Sequence, residues 1–267
     1  MAALRFLPPL RLPPGLRALR PGLPRLRRVD LGGLPAPEVG RPLAAIGDVH
    51  GMDALLGRLL DTLALRAPDA LPLFLGDLID RGPDSDRVLA RVRTLEAAGK
   101  ALCLLGNHEQ MLLDAIDRPA TGVRRWLGHG GGATLRSFGL EPPQVGAPPE
   151  ALEDLAGALA RALGAEMLGW LRARPLLHRE GTLVAAHAGL DPARPPETQE
   201  RHRLLWGGPL PPGPRADGLW VVQGHDVVPV PLRRGTCLRI DTGAFASGRL
   251  SALVLRPGQA PAVLTRR

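Results

Sequence analysis

The chain has 267 residues, of which 45% are hydrophobic, and a formal net charge of +8. No apolar run reaches the roughly 20 residues that a membrane-spanning helix needs, so the composition predicts a cytoplasmic protein without a membrane span. The positive charge is concentrated in residues 1–42, which hold eight arginines against Asp30 and Glu38. The remainder has no basic stripe with interleaved aromatic residues, which argues against a specific nucleic-acid interface.

Residues 1–42 are predicted to form a disordered leader, with an import signal as the weaker alternative. The segment is rich in arginine and proline, and proline interrupts each of its apolar stretches. Such a composition cannot bury enough apolar surface to fold on its own. We therefore expect residues 43–267 to form the functional domain, and the leader to be dispensable for its function.

From residue 43 onward, short apolar runs alternate with segments of helical periodicity, a pattern typical of an α/β domain built from βαβ units. Strands are predicted at 43–47, 71–75 and 101–105, and helices at 52–65, 84–98 and 108–117. A more helical middle follows, with helices at 123–127 and 150–171. Strands return at 182–187, 219–224, 237–241 and 250–255.

Five predicted strand ends carry Asp, Asn or His beside glycine: GDVHG, GDLIDRG, GNHE, HAG and GHD. Because open α/β sheets bind ligands at the carboxyl ends of their strands, these side chains can converge. The residues with metal-ligand chemistry are Asp48, His50, Asp77, Asn107, His187 and His225. The other three histidines are predicted to lie at the surface or to pack: His129, His178 and His202.

This donor set combines oxygen and imidazole ligands without a thiolate, which suits manganese, iron or zinc better than calcium. Six donors suffice for two ions, and manganese is the metal we expect. If Asp77 bridges the ions, Asp48 and His50 complete the first site. The second site is then completed by Asn107, His187 and His225. Two ions about 3.5–4 Å apart would activate a water and clamp the oxygens of a phosphoryl group during in-line displacement.

In this order and at these spacings, the motifs resemble those of the phosphoprotein phosphatase family of binuclear metallophosphoesterases. GNHEQMLLDAI, WLGHGGGATLRSFG and IDTGA are similar to the branch of bacterial and phage-lambda-like serine/threonine protein phosphatases. The resemblance implies an α/β sandwich of two mixed β-sheets flanked by helices, with residues 43–267 as the catalytic domain. It also implies hydrolysis of phosphomonoesters, with phosphoserine or phosphothreonine in proteins as the expected substrate.

The resemblance assigns further roles to individual residues. His108 would be the general acid that protonates the departing oxygen, and Asp80 would orient it and raise its pKa. Arg81 would bind two phosphoryl oxygens through its guanidinium group, and Asn107 would contribute to phosphate binding.

The chain departs from the family at one phosphate-binding position. The family places a second arginine two residues after a tryptophan, but Gly208 stands there after Trp206. The candidates to replace it from the same loop are Arg201, Arg203 and Arg215. The alternative is that the site binds phosphate through one arginine, with weaker affinity.

Two alternatives stay open. Symmetrical dinucleoside tetraphosphate hydrolases share the fold and the metal motifs, but they tend to have a small residue at the position of Asp80 and an aspartate at that of Glu109. Both positions therefore favour a protein phosphatase. A non-enzymatic scaffold would be expected to have lost metal ligands, and all six remain. The expected partner is a phosphoprotein or a small phosphorylated substrate.

Overall fold

The computed structural model describes residues 24–209 and 213–267. Its strands are β1 (Arg27–Arg28), β2 (Leu43–Ile46), β3 (Leu71–Phe74), β4 (Leu102–Cys103), β5 (Leu177–Glu180), β6 (Leu183–Ala186), β7 (Trp220–Gln223), β8 (Leu232–Arg234), β9 (Cys237–Arg239), β10 (Leu250–Leu255) and β11 (Ala262–Arg266). Its α-helices are α1 (Asp53–Arg66), α2 (Ser85–Ala97), α3 (Asn107–Asp117), α4 (Pro119–Leu127), α5 (Gly131–Ser137), α6 (Pro149–Arg172), α7 (Arg201–Trp206) and α8 (Ala244–Ser247). Among the described residues, no helix has the length and apolar character to cross a bilayer.

The strands form two mixed sheets flanked by helices, which confirms the predicted α/β sandwich. The first sheet has the order β1-β11-β10-β2-β3-β4, and the second has the order β5-β6-β7-β9-β8. Strands β2, β3 and β4 run parallel to one another, as do β6, β7 and β9. The polar motifs follow the carboxyl ends of these parallel strands, so each sheet contributes side chains to one candidate site.

The two sheets pack face to face through an apolar layer. Leu43 and Leu73 of the first sheet and Leu183 and Trp220 of the second are buried in this layer. The other face of the first sheet is covered by the helices, which bury a second and larger apolar cluster. Strands β2 and β6 are thus buried on both faces, and this explains their uninterrupted apolar sequences LAAI and LVAA.

The predicted strands and helices from residue 43 onward are confirmed to within a few residues, but several short elements were missed. Strand β8 is an example, because its sequence LRR has an exposed, intermediate, exposed pattern. It lies at the edge of the second sheet and pairs only with β9. Edge strands of this kind carry charged side chains and show no apolar alternation that a sequence pattern could detect.

The structure differs from the predicted leader for residues 24–42, whereas residues 1–23 lie outside the described residues. Arg27 and Arg28 form β1, which pairs with β11, and the Val29 N–H donates to the Pro261 carbonyl. Val39 is buried in the layer between the sheets. The free edge of β11 offers unpaired backbone groups, so the segment can add a strand without an apolar pattern of its own.

Deleting residues 1–40 is expected to lower the melting temperature by several degrees while leaving turnover nearly unchanged. The deletion removes β1 and the buried Val39, a side chain whose burial contributes about 1.5–3 kcal/mol, but it removes no candidate site residue. Thermal unfolding followed by circular dichroism would measure this effect, with deletion of residues 1–23 as the matched control. Equal melting temperatures for the two deletions would show that the β1 segment does not stabilise the fold.

Candidate metal centre and active site

The six predicted metal ligands follow the ends of strands of both sheets. Those of the first sheet are Asp48 and His50 after β2, Asp77 after β3, and Asn107 after β4. Those of the second are His187 directly after β6 and His225 after β7. His225 is partly exposed, and the other five are buried.

Asp77 lies at the centre of this arrangement. Its Oδ1 is 3.4 Å from Nε2 of His187, and its Oδ2 is 3.7 Å from Nε2 of His50. The Asn107 Oδ1 atom is 2.8 Å from the same His187 Nε2 and 3.1 Å from Nδ1 of His225. Each carboxylate oxygen of Asp77 therefore faces a different imidazole, as expected of a carboxylate that bridges two ions.

The orientation of two imidazoles fits metal ligation. His50 Nδ1 is 2.8 Å from the Ile79 carbonyl oxygen, and His187 Nδ1 is 2.9 Å from that of Leu75. Because a carbonyl oxygen only accepts, each Nδ1 carries the proton and donates it, which leaves the Nε2 lone pair directed at Asp77. Burial lowers the pKa of His50 to about 3 and that of His187 to about 4, so both rings are neutral and able to bind a metal.

Buried carboxyl groups concentrate negative charge around this centre. Burial raises the pKa of Asp48, with Asp241 and Asp77 adding to the effect, and it raises the pKa of Asp241 to about 6. Burial also opposes ionisation of Asp77, whereas the protonated His108 ring and the backbone N–H of His108 favour its charged form. Buried charge of one sign requires a counter-charge. The residues present therefore fit a pair of divalent cations.

The Asp48 carboxylate accepts a backbone hydrogen bond from the loop that follows β7. Its Oδ1 and Oδ2 lie 3.1 and 3.0 Å from the backbone N–H nitrogen of His225. The ligand atoms that converge within 4.8 Å of one another are those of His50, Asp77 and His108 in one group, and those of Asp77, His187 and His225 in the other. His108 also lies beside Asp77, with its Nε2 3.8 Å from Asp77 Oδ2.

The backbone is strained at the predicted site residues. Among the described residues, the non-glycine residues with positive φ are His50, Asp77, Asp80, Arg81 and His225, and their φ angles range from 47° to 72°. This left-handed conformation costs about 1–3 kcal/mol at a non-glycine residue, so it persists only where the surroundings enforce it. All five belong to the predicted site.

Glu109 is one of the residues that hold this strained backbone in place, a role that was not predicted from the sequence. Its Oε2 accepts the N–H groups of Asp77 at 2.9 Å and Gly106 at 3.0 Å, and its Oε1 accepts that of Leu78 at 2.8 Å. A Cβ atom on Gly106 would lie 2.2 Å from Asp77 Oδ1, so only glycine fits there. Through these three hydrogen bonds, the buried Glu109 carboxyl group fixes the loop that carries Asp77.

His108 and Asp80 form a hydrogen-bonded pair. The Nδ1 atom of His108 is 2.6 Å from Asp80 Oδ2, and Asp80 is fully buried. Trp126 Nε1 donates to the same carboxylate at 2.9 Å, and the Thr134 hydroxyl donates at 2.6 Å. Burial alone would lower the pKa of His108, but the charge of Asp77 and the hydrogen bond to Asp80 outweigh burial and raise it. The pair therefore favours a protonated His108.

Trp126 and Thr134 are site residues that the sequence analysis missed. Both stand in WLGHGGGATLRSFG, which contributed to the resemblance without any role for single residues. They reach Asp80 from α4 and α5, at separations of 46 and 54 residues along the chain. In the sequence, the tryptophan and the threonine of that motif were the residues that pointed to these contacts.

The rim of the site is basic and aromatic. Arg81 is exposed, with its Nη2 3.2 Å from His108 Nε2 and its guanidinium carbon 4.5 Å from the centre of the Phe245 ring. The Trp206 ring lies 6.4 Å from that of His225. His129, which was predicted to lie outside the site, has its ring 6.4 Å from that of His108.

The three arginines expected to replace the missing phosphate-binding residue have other partners. Arg201 donates to Gln110, Arg203 donates to the carbonyl groups of Leu190 and Pro209, and the buried Arg215 is paired with Asp217. An arginine from another element is present at the rim instead. Arg125 of α4 has its guanidinium carbon 4.6 Å from the centre of the Trp206 ring.

The fold and this site are those of a metal-dependent phosphoesterase, and the comparisons with known proteins agree. The family model for calcineurin-like phosphoesterases matches residues 41–229. The chain belongs to the calcineurin-like phosphoesterase family.

Two curated relatives illustrate the range of activities among similar proteins. A protein named symmetrical bis(5'-nucleosyl)-tetraphosphatase from Methylococcus capsulatus is 39% identical over 154 residues, which cover 58% of this chain and 45% of that protein. Serine/threonine-protein phosphatase 1 of Salmonella typhimurium is 32% identical over 223 residues, which cover 79% of this chain and 90% of that protein. The chain thus spans less than half of the first relative and most of the second.

The fold also resembles solved structures. A crystal structure described provisionally as a diadenosine tetraphosphatase gives a TM-score of 0.57 at 24% identity, with 90% of this chain and 98% of that chain covered. At this identity the likeness concerns the fold alone.

Proposed function

We propose that this chain hydrolyses phosphoric esters or anhydrides at a centre that holds two divalent metal ions, with manganese as the expected metal. The observation that supports the proposal best is the position of Asp77, whose two carboxylate oxygens face different imidazoles. When bound, a pair of divalent ions supplies an activated water at neutral pH and neutralises charge that develops on the phosphoryl oxygens.

The residues of the chain supply the rest of the proposed mechanism. The exposed Arg81 guanidinium binds phosphoryl oxygens at the rim, and the Asn107 amide contributes to phosphate binding. His108 donates a proton from Nε2 to the departing oxygen, because its Nδ1 proton is engaged by Asp80. Asp80 in turn is held by Trp126 and Thr134, so the imidazole keeps one orientation throughout the reaction.

As the substrate we propose a symmetrical dinucleoside tetraphosphate, which the sequence analysis had placed second. Support comes from relatives that carry this activity in their names, two of them at 39% and 35% identity. The half-buried Trp206 beside His225 adds a structural reason, because an aromatic ring at the rim offers a surface on which a nucleobase stacks.

Phosphoserine or phosphothreonine in a protein is the second candidate, and a specific observation favours it. An alkoxide leaving group needs a proton, whereas the nucleoside diphosphate released from a tetraphosphate leaves readily without one. The buried Asp80–His108 pair supplies such a proton. The Salmonella phosphatase, which aligns over 90% of its length, supports the same candidate.

Steady-state kinetics with manganese separate the two substrates. We expect kcat/KM for diadenosine tetraphosphate to exceed that for a phosphoserine peptide by about tenfold or more, with ADP as the product. The reverse preference would establish the second candidate. If a chain shown to contain metal hydrolysed neither compound, nor an aryl phosphate, the proposed activity would be wrong.

Arg125 is expected to provide the second positive charge for substrate binding. Replacing Arg125 with Ala should raise KM by about tenfold and change kcat less, because a charge at the rim contributes to binding more than to the chemical step. The matched control is Arg124→Ala, since the Arg124 guanidinium donates to the Ala147 carbonyl. Equal kinetic constants for the two variants would exclude Arg125 from substrate binding.

A further inference from the structure

A basic groove lies between the edges of the two sheets. It has a volume of about 890 Å³ and is lined by seven arginines but only one acidic residue, Asp30. Arg25, Arg27 and Arg28 come from the β1 segment, Arg249, Arg266 and Arg267 from the ends of β10 and β11, and Arg233 from β8. Three stretches far apart in sequence therefore build one surface of a single charge sign.

The arginines of this groove lack acidic partners among the residues that the structure describes. In residues 24–209 and 213–267, no ion pair joins any of the seven to a carboxylate, although ion pairs hold many other arginines. Arg233 is bound to the carbonyl oxygens of Asp30 and Gly235, which fixes its position but does not neutralise it. The Nε atom of Arg266 is buried and has no hydrogen-bond partner in this part of the chain. Clustered like charges without counter-charges destabilise a surface, and an anionic ligand would remove that cost.

The groove also has an apolar component. Val29, Pro229, Val230 and Val263 contribute to its lining, and Val230 is 60% exposed. A nucleic-acid backbone or a polyphosphate has no apolar side chains to place on such residues. The groove lining contains no aromatic residue, so the stacking surface that single-stranded nucleic acids use is missing from it.

Two strand edges border the groove. Among the described residues, β1 is one edge strand of the first sheet, and β8 is one edge strand of the second. An outermost strand has one row of backbone N–H and C=O groups without a partner strand, which an extended peptide can pair with.

The groove opens at the end of the first sheet that carries the metal centre. Arg266 is paired with Leu250 in the β10–β11 ladder, and Ala252 is paired with Ile46 in the β10–β2 ladder. Ile46 is the last residue of β2, which leads directly into Asp48 and His50. A chain bound in the groove therefore lies on the same end of the sheet as the candidate active site.

We propose that this groove binds an extended acidic polypeptide segment, with its carboxylates on the arginines and its apolar side chains on the valine and proline residues. Guanidinium groups bind carboxylates in bidentate fashion, and alternating acidic and apolar residues match the mixed lining. The proposal does not depend on the substrate of the metal centre.

Fluorescence anisotropy of a labelled peptide in which Glu and Val alternate tests this proposal at low ionic strength. We expect saturable binding that Arg28→Glu and Arg249→Glu each weaken by about tenfold, and that added salt weakens. The matched control is Arg161→Glu, an exposed arginine of α6 outside the groove, which changes the net charge equally. This control should alter the affinity by about twofold or less.

Hydrolysis of an aryl phosphate by the same variants shows that they are folded, because none of the three residues belongs to the candidate active site. Equal affinities for the groove variants and Arg161→Glu would overturn the proposal, as would tighter binding of a single-stranded oligonucleotide that depends on the same arginines. If the unmodified chain did not hydrolyse the aryl phosphate, this result would contradict the proposed function. The measurement of peptide binding would still test the groove.

Discussion

Replacing Asp77 with Asn is expected to reduce metal content and turnover together, by about 100-fold or more in turnover. The carboxylate lies within 3.8 Å of ring nitrogens of His50, His108 and His187. Removing its charge weakens both proposed metal positions at once, because it is the residue common to the two groups of converging ligand atoms.

The D77N substitution should preserve the fold. Oδ1 of Asp77 accepts the backbone N–H of His108 at 3.0 Å, and an amide oxygen can accept the same bond. The substitution also removes one negative charge from a buried acidic cluster. Metal content after dialysis, measured by plasma mass spectrometry, and kcat should be determined together, with the exposed Asp154→Asn variant as the matched control. A D77N variant that kept two ions per chain would exclude Asp77 as the bridge.

Replacing His108 with Asn is expected to lower turnover of a phosphoserine peptide by roughly 10²–10⁴-fold, the usual contribution of a positioned proton donor. The loss should be much smaller for an aryl phosphate and for diadenosine tetraphosphate, because their leaving groups depart without a proton. Burial opposes protonation of His108, but Asp77 and Asp80 outweigh burial and raise its pKa, which favours the protonated donor.

Metal content decides between two roles for His108. Its Nε2 is 3.8 Å from Asp77 Oδ2 and converges with His50, so a role as a metal ligand would also place it there. The acid role requires that H108N retain its metal. Loss of metal, or an equal decrease for all three substrates, would show that His108 is not the acid.

Asp80 provides an independent check on that result. Asp80 is a positioning residue that acts through His108. Turnover should therefore decrease by similar factors in D80N and in the D80N/H108N double variant, and the effects of the two substitutions should not multiply. Trp126→Phe removes the indole N–H that donates to both carboxylate oxygens of Asp80. It should reproduce part of the D80N effect on the phosphoserine peptide while the metal content stays unchanged. Multiplicative losses would mean that Asp80 has a role separate from His108.

The sequence by itself determined the parallel strands and the positions of the polar residues that follow them. Strands β2 and β6 are buried on both faces, so their apolar runs are unbroken, and the first polar residues after each run mark the loop at the sheet end. For this reason His50, Asp77 and His187 could be selected without a structure. Their roles as metal ligands stay predictions that the D77N experiment addresses.

Only the tertiary structure decided what surrounds these residues. The hydrogen-bond partners of Asp80 lie on helices 46 and 54 residues away along the chain. The Glu109 carboxyl group binds the backbone of another loop. At the rim lies Arg125, rather than an arginine of the expected loop. Strand β1 and the basic groove depend on the pairing of Arg27 and Arg28 with β11. Apolar periodicity records which face of an element is buried, but contacts between distant polar side chains leave no periodic pattern, so they follow from how the elements pack.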